Sequence, residues 1–193
     1  MDIIKLTPEF AEAYVRFFDT TPHDYNVDEH KCYCVCWCSD DCEGKDFSTR
    51  EKRREAALRY VREGAIQGYL AADGGTIVGW CNANTKADCQ TCAAWRRLMG
   101  DIPTDGPGER VKSVFCFTVA PERKRKGIAT KLLERVCTDA ASDGFTCVEG
   151  YPEKAPQDEN INFSGAAALY KKCGFTVHCE AGNRLIMRKE LQP

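Results

Sequence analysis

The run VKSVFCFTV at residues 111–119 is almost wholly apolar, and a short basic stretch separates it from IATKLLERVCTDAASDG. An uninterrupted apolar run fits a strand covered on both faces, because a strand with one wet face alternates. Ile128, Leu132, Val136 and Ala140, with Leu133 and Cys137 beside them, recur at the three- and four-residue spacing of one helical stripe. Cys147-Val148-Glu149-Gly150-Tyr151 reads as the next strand. Strand, helix and strand in this succession predict a parallel pair joined by a right-handed crossover. The chain is therefore expected to be an α/β protein with residues 111–119 at the centre of its sheet.

The remaining segments supply the rest of that architecture. Ile3-Ile4-Lys5-Leu6 reads as an opening strand, and Thr7-Pro8 offers a cap and the proline that a first helical position tolerates. Phe10, Tyr14, Phe17 and Phe18 then share one face of a helix of about ten residues. Ser48 and Glu51 form a Ser-x-x-Glu capping box before Ala57, Leu58, Val61 and Ala65, which predicts a second helix ending near Ile66. Residues 67–72 and 76–84 flank Asp73-Gly74-Gly75 as a β-hairpin. Residues 86–110, with Trp95, Pro103 and Pro107, exceed a plain hairpin loop and predict a short helix plus a mobile surface loop. A polar loop at 152–162 precedes a short helix at 165–172, stopped by Gly174. Residues 176–179 and 184–188 close the chain as a hairpin around Ala181-Gly182-Asn183. No internal repeat or low-complexity tract divides the sequence, so residues 1–193 are expected to form a single domain.

Composition excludes several classes. With 27 Lys and Arg against 29 Asp and Glu, the net charge of -2 offers no cationic surplus for a polyanion, and nucleic acid is not expected as a partner. An apolar fraction of 43% argues against disorder. No apolar run approaches the roughly 20 residues that cross a bilayer, so no membrane partner is expected. The start MDIIKLTPEF has Asp2 where a secretory signal would be basic, which predicts a cytoplasmic location. Thirteen cysteines fall just under the roughly 8–10% of small disulfide scaffolds, and in a reducing compartment they should remain thiols that pack like small hydrophobes.

The junction of the apolar strand with the amphipathic helix carries the sharpest chemical signal: Arg123-Lys124-Arg125-Lys126-Gly127-Ile128-Ala129-Thr130. Backbone N–H groups at a helix start lack internal partners and carry partial positive charge, so a small residue there lets a phosphate approach. Gly127 and Ala129 are the two small positions, and adjacent cations reinforce them. Neither the G-x-x-x-x-G-K-[ST] loop nor the G-x-G-x-x-G fingerprint is present, which argues against nucleoside triphosphates and dinucleotides.

FCFTVAPERKRKGIATKLL resembles motif A of the Gcn5-related N-acetyltransferases, or GNAT family, whose Q/R-x-x-G-x-G/A pattern binds the pyrophosphate of coenzyme A. Lys124 stands at the Q/R position, with Gly127 and Ala129 at the small positions. AALYKKCGF is similar to the family's L-Y-x-x-x-G-F through Leu169, Tyr170, Gly174 and Phe175. The order of elements also follows the family's, so the resemblance spans nearly the whole chain.

The resemblance implies an acetyl-CoA-dependent N-acetyltransferase with a splayed mixed sheet, moving the acetyl group to a primary amine by direct attack. Lys124, Arg125, Lys126, Gly127, Ile128, Ala129 and Thr130 would hold the pyrophosphate. The backbone of Phe117, Thr118 and Val119 would hold the pantetheine arm, with an N–H of Phe117 or Val119 facing the acetyl oxygen. Tyr170 would protonate the departing thiolate. Ser113 stands where histone-modifying relatives carry a glutamate, so Glu149 on the next strand is the substitute candidate for the base. Many members place an asparagine seven residues before the tyrosine; here Phe163 is at that position and Asn162 is one residue off. Cys36-Trp37-Cys38 resembles a Cys-Trp-Cys element of one bacterial branch, which makes Trp37 a candidate wall of the acceptor pocket.

Cys32, Cys34, Cys36, Cys38 and Cys42, with a Cys89-x-x-Cys92 pair further on, raise the question of zinc. Structural zinc ligands normally lie two to four residues apart in paired sets, while alternate cysteines fit one face of an extended segment, and no metal is expected. No histidine, among His23, His30 and His178, reads as the activator of a nucleophilic thiol. Two other functions stay open: a coenzyme A binding or sensing module with little turnover, and a thiol or zinc binding protein on the same scaffold. The partner expected is a small-molecule or peptide amine. Assembly state, a homodimer included, is left open.

Overall fold

A computed structural model describes residues 1–22, 27–37, 46–156 and 162–192. Its seven strands form one sheet: β1 (Asp2–Lys5), β2 (Gly68–Asp73), β3 (Thr76–Thr85), β4 (Val111–Val119), β5 (Cys147–Gly150), β6 (Thr176–Ala181) and β7 (Arg184–Glu190). The spatial order is β1-β2-β3-β4-β5-β7-β6, which puts β4 in the middle. Every neighbouring pair is antiparallel except β4 and β5. That parallel pair is the one whose connection carries a long amphipathic helix, as a crossover requires.

The principal helices are α1 (Ala11–Thr20), α2 (Arg50–Arg62), α3 (Lys86–Cys89), α4 (Ala93–Met99), α5 (Ile128–Ser142) and α6 (Ala167–Lys172). The stripe of α5 buries Ile128, Leu132, Leu133, Val136, Cys137 and Ala140 against one face of the sheet, where Val114, Phe117 and Val148 meet it. Gly79 on β3 permits this approach, since a Cβ there would lie 2.9 Å from Ile128 Cγ2. Tyr14, Phe17 and Phe18 of α1, with Ala57 and Val61 of α2, cover the opposite face over Leu70, Trp80 and Cys116.

Three expectations need correction. The first helix starts as a 3₁₀ turn at Pro8–Phe10, and its α-helical part begins only at Ala11. The cap of α2 is Thr49, whose hydroxyl accepts from Lys52 N–H at 3.3 Å, while the neighbouring Ser48 hydroxyl turns to Asp46. Residues 86–110 hold two short helices where one was expected, followed by a largely exposed loop, and Cys89, Cys92, Trp95, Met99 and Ile102 are buried against Phe115, Tyr151 and Ile186 as a third apolar cluster. An edge-on Trp95 ring 6.0 Å from Phe115 and 6.1 Å from Tyr151 anchors the insertion to the sheet.

Candidate active site

Two irregularities of the central strand open the site. Asn82 pairs with Cys116 and Ala83 with Val114, so Phe115 is an extra residue on β4. Such a bulge bends the strand and lets two consecutive side chains share a face. Val114 and Phe117 accordingly face α5, whereas Phe115 and Cys116 both face the other way. The second irregularity is the short parallel ladder, which joins Val111–Val114 to Cys147–Gly150 and then ends. Beyond it the chain after β5 follows β7: Leu185 N–H donates to Pro152 O and Lys154 N–H to Asn183 O, both at 2.9 Å. β4 continues to Val119 paired with β3 but no longer with β5, and a cleft of about 750 Å³ opens along that freed edge.

Trp37, Phe115, Cys116, Thr118, Asn162 and Arg184 are among the residues lining this cleft. The Trp37 ring stacks on Phe115 with centroids 4.5 Å apart and 8° between the planes. Cys89 donates its thiol to Trp37 O at 3.0 Å, which ties this wall to the insertion. Residues 32–37 are not extended, contrary to the reading of alternate cysteines on one face. Tyr33 and Cys34 adopt left-handed conformations (φ 48° and 54°), Val35–Trp37 form a 3₁₀ turn, and the consecutive residues Tyr33, Cys34 and Val35 are all buried. Cys38, Cys42 and His23 lie outside the described residues. Among the described residues no three His, Cys, Asp or Glu side chains converge as metal ligands.

At the end of β4 the chain turns through Pro121–Arg123 into α5, with Gly127 in the left-handed conformation (φ 79°) at the cap position. No side chain caps α5, and a Cβ at Gly127 would meet nothing within 4 Å, so the helix start is open. Ile128 anchors it in the core while Lys124, Arg125 and Lys126 are exposed around it; Arg123 is held by Asp73 at 2.7 Å. Ala129 and Thr130 continue the first turn, and both are half-buried. First-turn amides, the positive end of the helix dipole and adjacent cations are the components from which an anion site can be built.

The residues along the cleft fit a pantetheine chain in part. Asn162 Oδ1 is buried on the cleft and has no hydrogen-bond partner among the described residues, which leaves an acceptor ready for a ligand N–H. The N–H of Phe117 is already engaged, donating to Phe163 O at 2.7 Å. Segment 162–164 thus makes one of the β4 contacts expected of the ligand. Thr118 and Val119 pair in register with Trp80 and Gly79.

Tyr170 is fully buried on α6, with its ring near Phe117 and Phe175. Its hydroxyl donates to Ser164 O at 2.8 Å, and Ser164 in turn lines the cleft. Arg184 fixes that loop through Ser164 Oγ at 3.0 Å and Tyr151 O at 2.8 Å. Burial raises the Tyr170 pKa well above its ordinary value, so the phenol keeps its proton.

Glu149 is placed differently from a catalytic base. Its Oε1 accepts from Arg188 Nε and Nη2 at 2.9 and 2.7 Å, and its Oε2 accepts from Tyr151 OH at 2.9 Å and lies 3.0 Å from Lys86 Nζ. Lys86 also meets Asp105 at 2.7 Å, and Arg188 meets Glu109 at 2.8 Å. These groups border a separate cavity of about 220 Å³. A carboxylate with both oxygens committed to buried cations is a structural centre, and taking a proton there would break the ion pairs around it. Ser113, at the family's glutamate position, shares a 2.5 Å hydrogen bond with Tyr151 OH. Lys86 and Arg188 escaped the sequence reading, since nothing in their local patterns marks them as partners of Glu149.

Residues 65–177 match the family model described as an acetyltransferase (GNAT) domain, and the chain belongs to this family. No functionally curated protein matches it significantly. Solved structures share the fold at low identity. A GNAT-family acetyltransferase from Streptococcus pneumoniae superposes with a TM-score of 0.57 at 13% identity, over 99% of both chains. The yncA protein of Salmonella typhimurium, solved with its cofactor acetyl-CoA, gives 0.55 at 14% identity, over 99% of this chain and 94% of its own. The PaiA N-acetyltransferase of Thermoplasma acidophilum, in complex with coenzyme A, gives 0.52 at 16% identity, over 98% and 99%. No helix among the described residues is long and apolar enough to cross a membrane.

Proposed function

We propose that the chain is an acetyl-CoA-dependent N-acetyltransferase that passes the acetyl group to a primary amine by direct attack. The observation that carries this reading is the continuity of the half of β4 that β5 leaves uncovered with the open start of α5. One polypeptide segment thereby offers strand backbone for a pantetheine arm and helix amides for a pyrophosphate. Gly127 and the orphan Asn162 Oδ1 fit such a ligand, and the relatives solved with acetyl-CoA and coenzyme A support it.

The coenzyme supplies an acetyl thioester; the protein's residues place and polarise it. Lys124 to Thr130 bind the phosphates. Asn162 and the backbone of Phe117 to Val119 hold the arm once Phe163 O gives up the Phe117 N–H, which then faces the acetyl oxygen and stabilises the charge that attack creates. Trp37 and Phe115 form the acceptor wall. The Tyr170 hydroxyl, released from Ser164 O, gives its proton to the leaving thiolate, and the proton that the attacking amine loses passes to solvent water. Cys36-Trp37-Cys38 is consistent with the Cys-Trp-Cys branch, and amines on small molecules or peptides are the acceptor class.

A second reading is a coenzyme A binding module with little turnover. The engaged Glu149 and the serine at position 113 favour it, since neither provides a base. A steady-state thiol-release assay over a panel of amines separates the two: acceptor-dependent release supports transfer, whereas tight coenzyme A binding with no release beyond solvent hydrolysis supports the module.

A further inference from the structure

Cys34 and Cys116 are 82 residues apart in sequence, yet their sulfurs are 3.3 Å apart on the floor of the cleft. Two local distortions bring them together. The bulge at Phe115 turns Cys116 to the cleft face, and the paired left-handed residues Tyr33 and Cys34 turn the other thiol down to meet it. Left-handed backbone at non-glycine residues is strained, and it persists only where surrounding contacts hold it. Here the Tyr14 hydroxyl donates to Tyr33 O at 2.9 Å and Trp80 Nε1 donates to Cys34 Sγ at 3.3 Å.

We propose that Cys34 and Cys116 are a reversible dithiol–disulfide site that takes a hydroperoxide as oxidant, whatever group the cleft transfers. A disulfide bond is about 2.05 Å long, so the sulfurs need to close by little more than 1 Å, within reach of small side-chain rotations. Both residues are almost fully covered except where they border the cleft, which gives a small oxidant its route. The Cys116 thiolate attacks one peroxide oxygen, the O–O bond breaks, and the departing oxygen leaves as water after taking a proton. Cys34, losing its own proton, then attacks the resulting sulfenic sulfur; the S–S bond forms and a second water leaves. Two electrons pass from the two thiols to one hydrogen peroxide.

The order of attack follows from exposure. Cys116 keeps 8% of its surface open and Cys34 1%, so an oxidant in the cleft reaches Cys116 first. Both thiols are held above their ordinary pKa, Cys34 by its hydrogen bond to Cys116 and Cys116 by burial against the lowering effect of that bond, so the attacking thiolate is scarce at neutral pH and oxidation should quicken as pH rises. The product would fasten the wall that carries Trp37 to the central strand.

The test is treatment of the full chain with hydrogen peroxide, alkylation of remaining thiols, and mass spectrometry of a non-reducing digest. The expected result is a Cys34–Cys116 linked peptide pair, two hydrogens lighter than the separate thiols and dissociated by dithiothreitol. Cys32→Ser should retain the link; Cys116→Ser and Cys34→Ser, each checked for native circular dichroism, should both lack it. The proposal is overturned if other cysteines oxidise while Cys34 and Cys116 remain alkylatable, or if Cys34 is found joined to Cys32 instead.

Discussion

A Cβ added to Gly150 would lie 2.0 Å from Tyr170 Cε1 and 2.6 Å from its hydroxyl, so the last residue of β5 is the floor on which the tyrosine ring rests. The ring's place depends on a missing side chain. Gly150→Ala should push it aside, costing about 1–3 kcal/mol of stability by overpacking. The folded fraction should lose acetyl transfer at least as severely as Tyr170→Phe. Urea unfolding and amine-dependent thiol release, measured on the same preparation, check both halves.

Tyr170→Phe keeps the ring and removes the proton. General acid catalysis contributes about 10²- to 10⁴-fold, and a thiolate is a fair leaving group, so a fall in kcat near 10² is expected with coenzyme A affinity nearly intact. An unchanged kcat, with chemistry shown to limit the rate, would return Tyr170 to packing alone.

Gly127→Asp tests the anion cradle. A side chain there meets no neighbour, and aspartate tolerates left-handed backbone better than most residues, so the variant should fold with a loss of about 1 kcal/mol. On the proposed binding mode its charge would face the coenzyme's phosphates. Calorimetry should show coenzyme A affinity weakened by about tenfold or more, which corresponds to roughly 1.4 kcal/mol.

Glu149→Gln distinguishes a base from a structural charge. Removing one partner from a buried ion pair costs about 3–5 kcal/mol, so a large drop in the unfolding midpoint is expected. If Glu149 is structural, the folded remainder should keep the acidic limb of its pH–rate profile. Disappearance of that limb at unchanged stability would restore Glu149 as the base.

Burial raises the pKa of Tyr151 and Tyr170 well above the ordinary tyrosine value, and pushes Tyr33 up to about 12. A group whose folded pKa exceeds its unfolded one contributes stability that is complete below the unfolded value and declines as pH rises past it. The unfolded value is near 10. Urea midpoints should therefore fall as pH climbs from about 10 to 12, and kcat should show no loss of the Tyr170 proton below that window.

The elements that follow one clear period were legible in the sequence. The α5 stripe, the hairpins and the junction at Gly127 all lie where spacing and turn residues put them. The bulge was hidden because residues 111–119 are apolar on both faces, so no alternation marks where an extra residue interrupts the pleat. Ser48 and Thr49 are adjacent candidate caps, and local chemistry does not choose between them. The Lys86–Glu149–Arg188 network and the Cys34–Cys116 contact join residues far apart in the chain, whose neighbours give no hint of the pairing. Asn162 was legible as a departure from the family pattern, but its bare Oδ1 required the fold.

The bulge at Phe115 adds one side chain to the cleft face without disturbing the alternation on either side of it. Excising that single residue would let Val114 and Cys116 follow one another opposite Ala83 and Asn82, restoring a regular ladder and taking away the ring beneath Trp37. A deletion elsewhere along β4 would instead put part of the strand out of step with its neighbour. One inserted residue thus furnishes an opening that the short β4–β5 ladder has already made, by supplying the ring on which Trp37 lies.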